Sequence, residues 1–265
     1  MRGSIGGFGR LLADLHPLLS LTLLSLAAGV GMLWVFARTS NQKAIERTKK
    51  RLQAYLLELR LFGDDLSLVW RSQKNLFVGN LRYMALMLKP ALYLTVPVVV
   101  LMIHMDAFYG WSPLLVGEVA VVTLQASSAL DANTAPPQLQ APPGIVVETP
   151  AVRALGAGQF SWRIRAEQPA DGSLQFDWNE ARWEKTITAG TGWRYLSGRK
   201  VRSLWDALWS PGEDRLTVPN VEWVEVTYPP ATIEFAGLDL HWIIWFLLIS
   251  IVSAYLLKGY FNVVL

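Results

Sequence analysis

The sequence predicts an α+β membrane protein with three transmembrane helices, a cytosolic antiparallel helical hairpin and an extracytoplasmic β-sandwich-like domain. Three observations carry that prediction. Apolar runs occupy residues 17–37, 90–105 and 242–257. A strongly basic amphipathic stretch, residues 38–88, lies between the first two, and a β-patterned, acidic stretch, residues 106–240, lies between the second and third. Of the 265 residues 52% are apolar, which suits a few spans plus one water-exposed domain.

The basic stretch fixes the orientation. Apolar residues in its first arm fall at Ile45, Leu52, Tyr55, Leu56, Leu59 and Phe62, a helical period with one greasy face. Leu66, Val69, Trp70, Leu76, Phe77, Leu81, Met84 and Leu88 continue it in the second arm. Gly63 suits a helix stop, and Asp64-Asp65 suit the next start, where side-chain oxygens cap free N–H groups. A coiled-coil-like hairpin follows, each arm burying its stripe against the other. Between Arg38 and Lys89 stand eleven Lys and Arg against four acidic residues, so the positive-inside rule puts this loop in the cytoplasm. The stretch from Asp106 to Leu240 carries ten basic and sixteen acidic residues and belongs outside. The chain-wide net charge of +3 conceals this asymmetry and does not point to a specific nucleic acid.

Residues 1–16 form an extracytoplasmic N-terminal segment in this reading. Pro17–Ala37 is uncharged for 21 residues, about the roughly 20 a helix needs to cross a bilayer core. It runs directly into Arg38 and lacks a small-residue cleavage site, so it reads as a retained span with its N-terminus outside. Residues 89–105 form the second span, with a helix starting near Tyr83 and kinks expected at Pro90 and Pro97. Residues 241–265 form the third span and a short cytosolic tail, and Trp242 and Trp245 sit at the outer interface. The location is a bacterial-type inner membrane, crossed several times, with the C-terminus cytosolic.

Between the second and third spans the pattern becomes β. Strands are expected at Glu118–Gln125, Ile145–Thr149, Gln159–Ala166, Ser173–Trp178, Trp183–Thr188 and Val221–Tyr228. Asp171-Gly172 reads as the hairpin turn between the Gln159 strand and the next one. Ala126–Pro143 reads as a loop, and Val201–Trp209 as one short helix. The absence of cysteine excludes disulfides, iron–sulfur clusters and thiolate chemistry from the whole chain.

Candidate sites are few, and none argues for an enzyme or a cofactor. Ser20, Thr22, Ser25, Tyr93, Thr95, Ser250, Ser253 and Tyr255 are the polar groups of the spans. They either line a hydrophilic groove or hydrogen-bond between packed helices, and packing is the weightier reading. Lys43, Arg47, Lys49, Lys50, Arg51 and Lys74 offer a cationic face to acidic lipid, a ribosome or a nascent chain, or are simply solvated. His16, His104 and His241 fall at the outer ends of the three spans, where three imidazoles can hold zinc or copper. No metal-binding spacing supports that, and interfacial rings are the plainer reading. The tryptophans of the outer region, Trp162, Trp178, Trp183, Trp193, Trp205, Trp209 and Trp223, read as sandwich core.

The order of parts resembles the three-span core of the YidC/Oxa/Get-type insertase superfamily. Ser72-Gln73-Lys74-Asn75-Leu76, Asn80-Leu81-Arg82, Lys89-Pro90 and Val96-Pro97 look similar to that family's helical segment entering a proline-marked span. The resemblance covers Pro17–Met105 and Trp242–Leu257. It implies insertion of membrane segments without a nucleotide, with a hairpin that captures substrate and a polar groove that eases hydrophilic flanks through lipid. Two departures stand out. The first span lacks the positively charged groove residue of the bacterial insertases, and the β domain lies between the second and third spans. The expected function is an insertase-like chaperone or assembly factor acting on membrane proteins. The alternative is an accessory subunit of a larger membrane complex, binding a periplasmic partner through its β domain.

Overall fold

The computed structural model describes residues 16–62, 65–131, 133–235, 237–261 and 263. Its helices are α1 (Pro17–Thr39), α2 (Gln42–Leu61), α3 (Leu66–Tyr109), α4 (Leu204–Trp209) and α5 (Trp242–Leu257). The expected N-terminal segment lies, apart from His16, outside the described residues, as do Gly63 and Asp64 of the hairpin break. The chain divides into two compact units. One comprises Leu21–Val100 and the described residues from Ile243 onward; the other comprises Leu101–Trp242 and the described residues up to Ser20.

The helical unit is an α+β protein's α part, and two of its helices, α1 and α3, are long and apolar enough to cross a membrane. The third apolar helix, α5, has 16 residues. The second arm of the hairpin and the expected second span are one continuous helix of 44 residues, about 66 Å at 1.5 Å per residue. Helix continues through Pro90 and Pro97. Each proline lacks the N–H that would reach the carbonyl four residues back, so the carbonyls of Leu86 and Tyr93 lose their intrahelical donor. Both helix starts in the hairpin are capped by side chains. Asn41 Oδ1 accepts from the Ala44 N–H at 3.1 Å, and Asp65 Oδ1 accepts from Ser67 and Leu68 N–H at 2.9 and 3.3 Å. The Ser67 hydroxyl, and then those N–H bonds, hold the Asp65 carboxyl below its ordinary value. The arms run antiparallel: Ser72 donates to Glu58 at 2.9 Å, and Gly79 lies against Leu52.

The other unit is built on antiparallel sheets. Its strands are β1 (Val119–Ala126), β2 (Gln138–Gln140), β3 (Ile145–Val147), β4 (Val152–Ala154), β5 (Gln159–Ala166), β6 (Ala170–Trp178), β7 (Ala181–Ala189), β8 (Arg199–Val201), β9 (Val221–Val226), β10 (Ile233–Phe235) and β11 (Leu238–Leu240). One sheet has the order β3-β5-β1-β9-β8, with β4 also on β5; a second is β2-β6-β7; β10 and β11 form a ribbon. The two larger sheets share one core. Phe160 of the first meets Trp178 of the second edge-on at 5.6 Å, and Trp162 meets Phe176 at 5.8 Å. Strict alternation in β5 puts Phe160, Trp162 and Ile164 inside.

The expected turn at Asp171-Gly172 is corrected. Both residues lie inside β6, paired with Thr188 and Ile187, and β5 pairs with β1, β3 and β4 instead. The hairpin turns at Asn179-Glu180, whose φ values of 50° and 65° are the left-handed pair that a two-residue loop requires. Asn at the first of these tolerates that conformation better than most side chains. The expected loop at Ala126–Pro143 contains β2, which completes the second sheet and accepts no break from its prolines because they flank it.

One charged residue lies wholly inside the β unit. The Lys185 side chain has no exposed surface and pairs with Glu213, which is nearly as buried. Its ammonium also donates to the Ser197 carbonyl at 2.5 Å and the Thr186 carbonyl at 3.3 Å. Burial pulls this ammonium below the ordinary lysine range, and the Glu213 carboxylate opposes that shift. Glu213 in turn accepts from the Thr186 hydroxyl at 2.5 Å and its N–H at 3.3 Å. Replacing Glu213 with Ala strands the buried cation, and we expect a loss of about 3–5 kcal/mol in chemical denaturation of the protein. An unchanged midpoint excludes this role for the pair.

Candidate functional site: the apolar track of α3

The sequence reading has each arm of the hairpin covering the other's apolar stripe. The structure corrects this. Ile45 is buried, and Leu52, Tyr55, Leu59, Val69 and Leu76 are half-buried. Leu56, Phe62, Leu66, Trp70, Phe77, Leu81, Met84 and Leu88 are exposed, Trp70 by 70%. Two antiparallel helices seal only a narrow seam, whereas these arms carry a wide apolar face. On α3 the uncovered residues Leu66, Trp70, Phe77, Leu81, Met84 and Leu88 advance by three, four or seven, so all six share one face over about 33 Å of helix. Exposed Leu92, Val96 and Val100 continue the uncovered apolar surface into the segment long and apolar enough to span a membrane, turning about 40° around the helix at each four-residue step. A shallow depression lined by Ala85, Leu88, Lys89, Leu92 and Tyr93 marks the transition.

Basic residues border this track. Arg71, Arg82 and Lys89 fall together on one flank at 100° per residue, and Lys74 stands on the track's own edge between Trp70 and Phe77. On α2, Lys43, Arg47, Lys49, Lys50 and Arg51 are exposed. Lys50 pairs with Glu46 at 2.8 Å and holds that carboxyl below its ordinary value. An apolar stripe edged by cations suits an amphipathic or membrane-destined helix whose flanks are polar or acidic.

The expected groove residues do not gather in one place. Ser25 and Ser250 are buried between α1 and α5, Ser25 donating to the Leu21 carbonyl at 2.7 Å and Ser250 to the Ser25 carbonyl at 3.1 Å. Ser253 donates to the Ser250 carbonyl at 2.9 Å, and Thr22 accepts from the Trp245 indole at 2.9 Å. Ser20, also buried, donates to the Pro17 carbonyl at 3.0 Å and accepts from the Tyr109 hydroxyl at 2.9 Å. These groups serve helix packing, with every hydroxyl satisfied by a neighbour. Tyr93, Thr95 and Tyr255 are exposed, and Thr95 bonds back to the Ala91 carbonyl at 2.9 Å. The α1–α5 seam is also a close approach: a Cβ on Gly29 meets Ser253 Oγ and the Ser250 backbone, whereas one on Gly31 meets nothing.

Among the described residues no three His, Asp or Glu side chains group closely enough to hold a metal. His16, His104 and His241 are exposed, with His104 near Tyr195 and His241 near Trp242 at ring distances of 6.5 and 5.9 Å. The tryptophans divide. Trp162, Trp178 and Trp183 are core, Trp193 and Trp223 are half-buried, and Trp205 and Trp209 are exposed. The sequence reading missed the uncovered track and the Lys185–Glu213 pair. The track was readable as the excess width of the apolar stripe; the ion pair left no local signal. No protein-family model, no curated protein and no solved structure matches this chain.

Two outcomes follow from this geometry. Gly29→Val drives a branched side chain into the Ser250 backbone, and we expect loss of folded, monodisperse protein in mild detergent, while Gly31→Ala leaves the yield unchanged. Because the chain has no native cysteine, single thiols read accessibility directly. Phe77→Cys and Met84→Cys should react with a small maleimide as free thiols do, and Ile45→Cys should stay protected until denaturation.

Proposed function

We propose that this chain is an insertase-like chaperone or assembly factor for membrane proteins, in which the exposed apolar face of α3 receives an apolar substrate segment and leads it toward lipid. The observation that carries this reading is the uncovered apolar surface of α3, which keeps one face from Leu66 to Leu88 at the hairpin and winds on through Leu92, Val96 and Val100 in the apolar part of the same helix. A soluble helix with so many uncovered large apolar residues needs a cover, and a track that enters a membrane-compatible helix gives its occupant somewhere apolar to go. The layout shared with the insertase superfamily supports the same class. The capture step uses apolar contact and basic flanks, with no nucleotide and no cofactor.

In this proposal the chain is a multi-pass protein of a bacterial-type inner membrane. The basic hairpin is cytosolic by the positive-inside rule, α1 enters with its N-terminus outside, α5 is the third span, and the β unit is extracytoplasmic. Lys43, Arg47, Lys49, Lys50, Arg51 and Lys74 meet anionic lipid, a ribosome or the polar flank of a substrate. The polar groove of the superfamily is replaced here by the open track, since the span serines are committed to helix packing.

The test is photocrosslinking from Trp70, Phe77 and Met84 to a nascent single-span membrane protein in membrane vesicles. The proposal expects adducts at these three positions and none at Ser67. Phe77→Glu should weaken capture roughly tenfold or more, since burying such a ring is worth about 1.5–3 kcal/mol. One constant adduct, stoichiometric and independent of the nascent chain, instead identifies a permanent partner helix and makes the protein a complex subunit.

A further inference from the structure

The β unit carries a second anomaly, in α4. Four of its six residues are Leu or Trp, and all four are exposed: Leu204 by 67%, Trp205 by 76%, Leu208 by 61% and Trp209 by 64%. Positions 204, 205, 208 and 209 share one side of a helical turn, leaving Asp206 and Ala207 on the other. Water-exposed domains seldom present two indoles and two leucines side by side without a partner.

Two further observations say what covers them. Trp209 and Pro211 line one cleft with Ile103, Asp106, Ala107 and Trp111, the last turns of α3 and the residues just after it. Asp106 there accepts from the indoles of Trp111 at 3.2 Å and Trp242 at 3.3 Å, so tryptophans gather where the apolar helix ends. That arrangement matches the aromatic belt at a membrane–water boundary, where an apolar ring sits against acyl chains and its N–H stays near polar groups. Arg199 and Lys200 before α4 are paired with Glu225 and Glu213, whereas Arg202 before it and Arg215 after it are exposed, in a region that is acidic overall. Anionic headgroups complement those cations.

We propose that α4 is an interfacial anchor: Leu204, Trp205, Leu208 and Trp209 enter the headgroup–acyl boundary of the lipid beside the end of α3. The inference rests on the membrane placement above. The anchor adds a lipid contact to the β unit beside its first chain connection, the end of α3. It differs from a spanning helix in length and from the core tryptophans in leaving no interior cavity when removed.

The experiment places a nitroxide at Trp205→Cys or Leu208→Cys in the full chain, reconstituted alone in vesicles of phosphatidylcholine and phosphatidylglycerol. Collision with oxygen, which concentrates in lipid, is compared with collision with a water-soluble nickel chelate. Val96→Cys on α3 and Glu222→Cys on the β unit are the lipid and water references. The anchor predicts an oxygen-to-nickel ratio at 205 and 208 several-fold above that at 222 and approaching that at 96. A ratio equal to that at 222 overturns it, leaving the helix in water. Low access to both reagents also overturns it, because a second copy of the chain then covers the site. If 96 itself reads as water, the membrane placement falls first, and the anchor with it.

Discussion

The buried contact between Lys185 and Glu213 governs one side of the β unit. An ammonium removed from water is tolerable only while each of its protons has an acceptor, and here a carboxylate and two carbonyls supply them. The acceptors come from β7, from the segment at Ser197 and from the loop at Glu213. The pair therefore staples to the sheet the excursion that contains β8 and α4. Lys200 reinforces it, donating to the Glu184 carbonyl at 2.6 Å and lying 3.7 Å from Glu213. The staple acts together with the β8–β9 pairing and the Leu196 N–H bond to the Ala107 carbonyl at 2.8 Å, which hold the same excursion beside the end of α3.

In the helical unit the corresponding constraint is width. A hairpin of two arms has one contact seam, and the apolar residues of α2 and α3 outnumber the places in it. The surplus collects on α3 because its exposed positions keep the three-four spacing while the seam uses Ser72, Gly79 and their neighbours. Small or polar residues there let the arms approach, with Gly79 against Leu52, at the expense of the area they can bury. The uncovered face is thus a consequence of the seam's composition, and the proposed function uses it.

The α1–α5 seam follows the opposite logic. Gly29, Ser25, Ser250 and Ser253 allow close backbone approach, and every hydroxyl finds a carbonyl within reach. Polar groups in an apolar helix must be satisfied by protein when water is scarce. That requirement draws the serines inward and leaves large residues such as Leu19, Leu23 and Trp34 outward. The same requirement separates Tyr93, Thr95 and Tyr255 from the serines, since Thr95 satisfies itself on its own helix and the phenols sit at the surface.

Most of the secondary structure was legible from local pattern. Uncharged length marked α1 and the apolar part of α3, period-two alternation marked β5, and Asn41 and Asp65 marked helix starts. These signals are local because hydrogen bonding within a turn and alternation along a strand depend on near neighbours. Strand pairing was not legible: Asp171-Gly172 carries the composition of a turn, yet lies in β6 because the cross-strand partners Thr188 and Ile187 continue the ladder. Nor did the sequence reading separate Trp183 from Trp205: both read as core, and their exposures are opposite. By itself the sequence determined which segments are apolar enough for a membrane and where six of the strands lie, but not β2, β4, β8, β10 or β11, whose three-residue runs carry too little local pattern. Only the tertiary structure decided which apolar faces are covered and which cation is buried, because burial depends on residues brought together from distant parts of the chain.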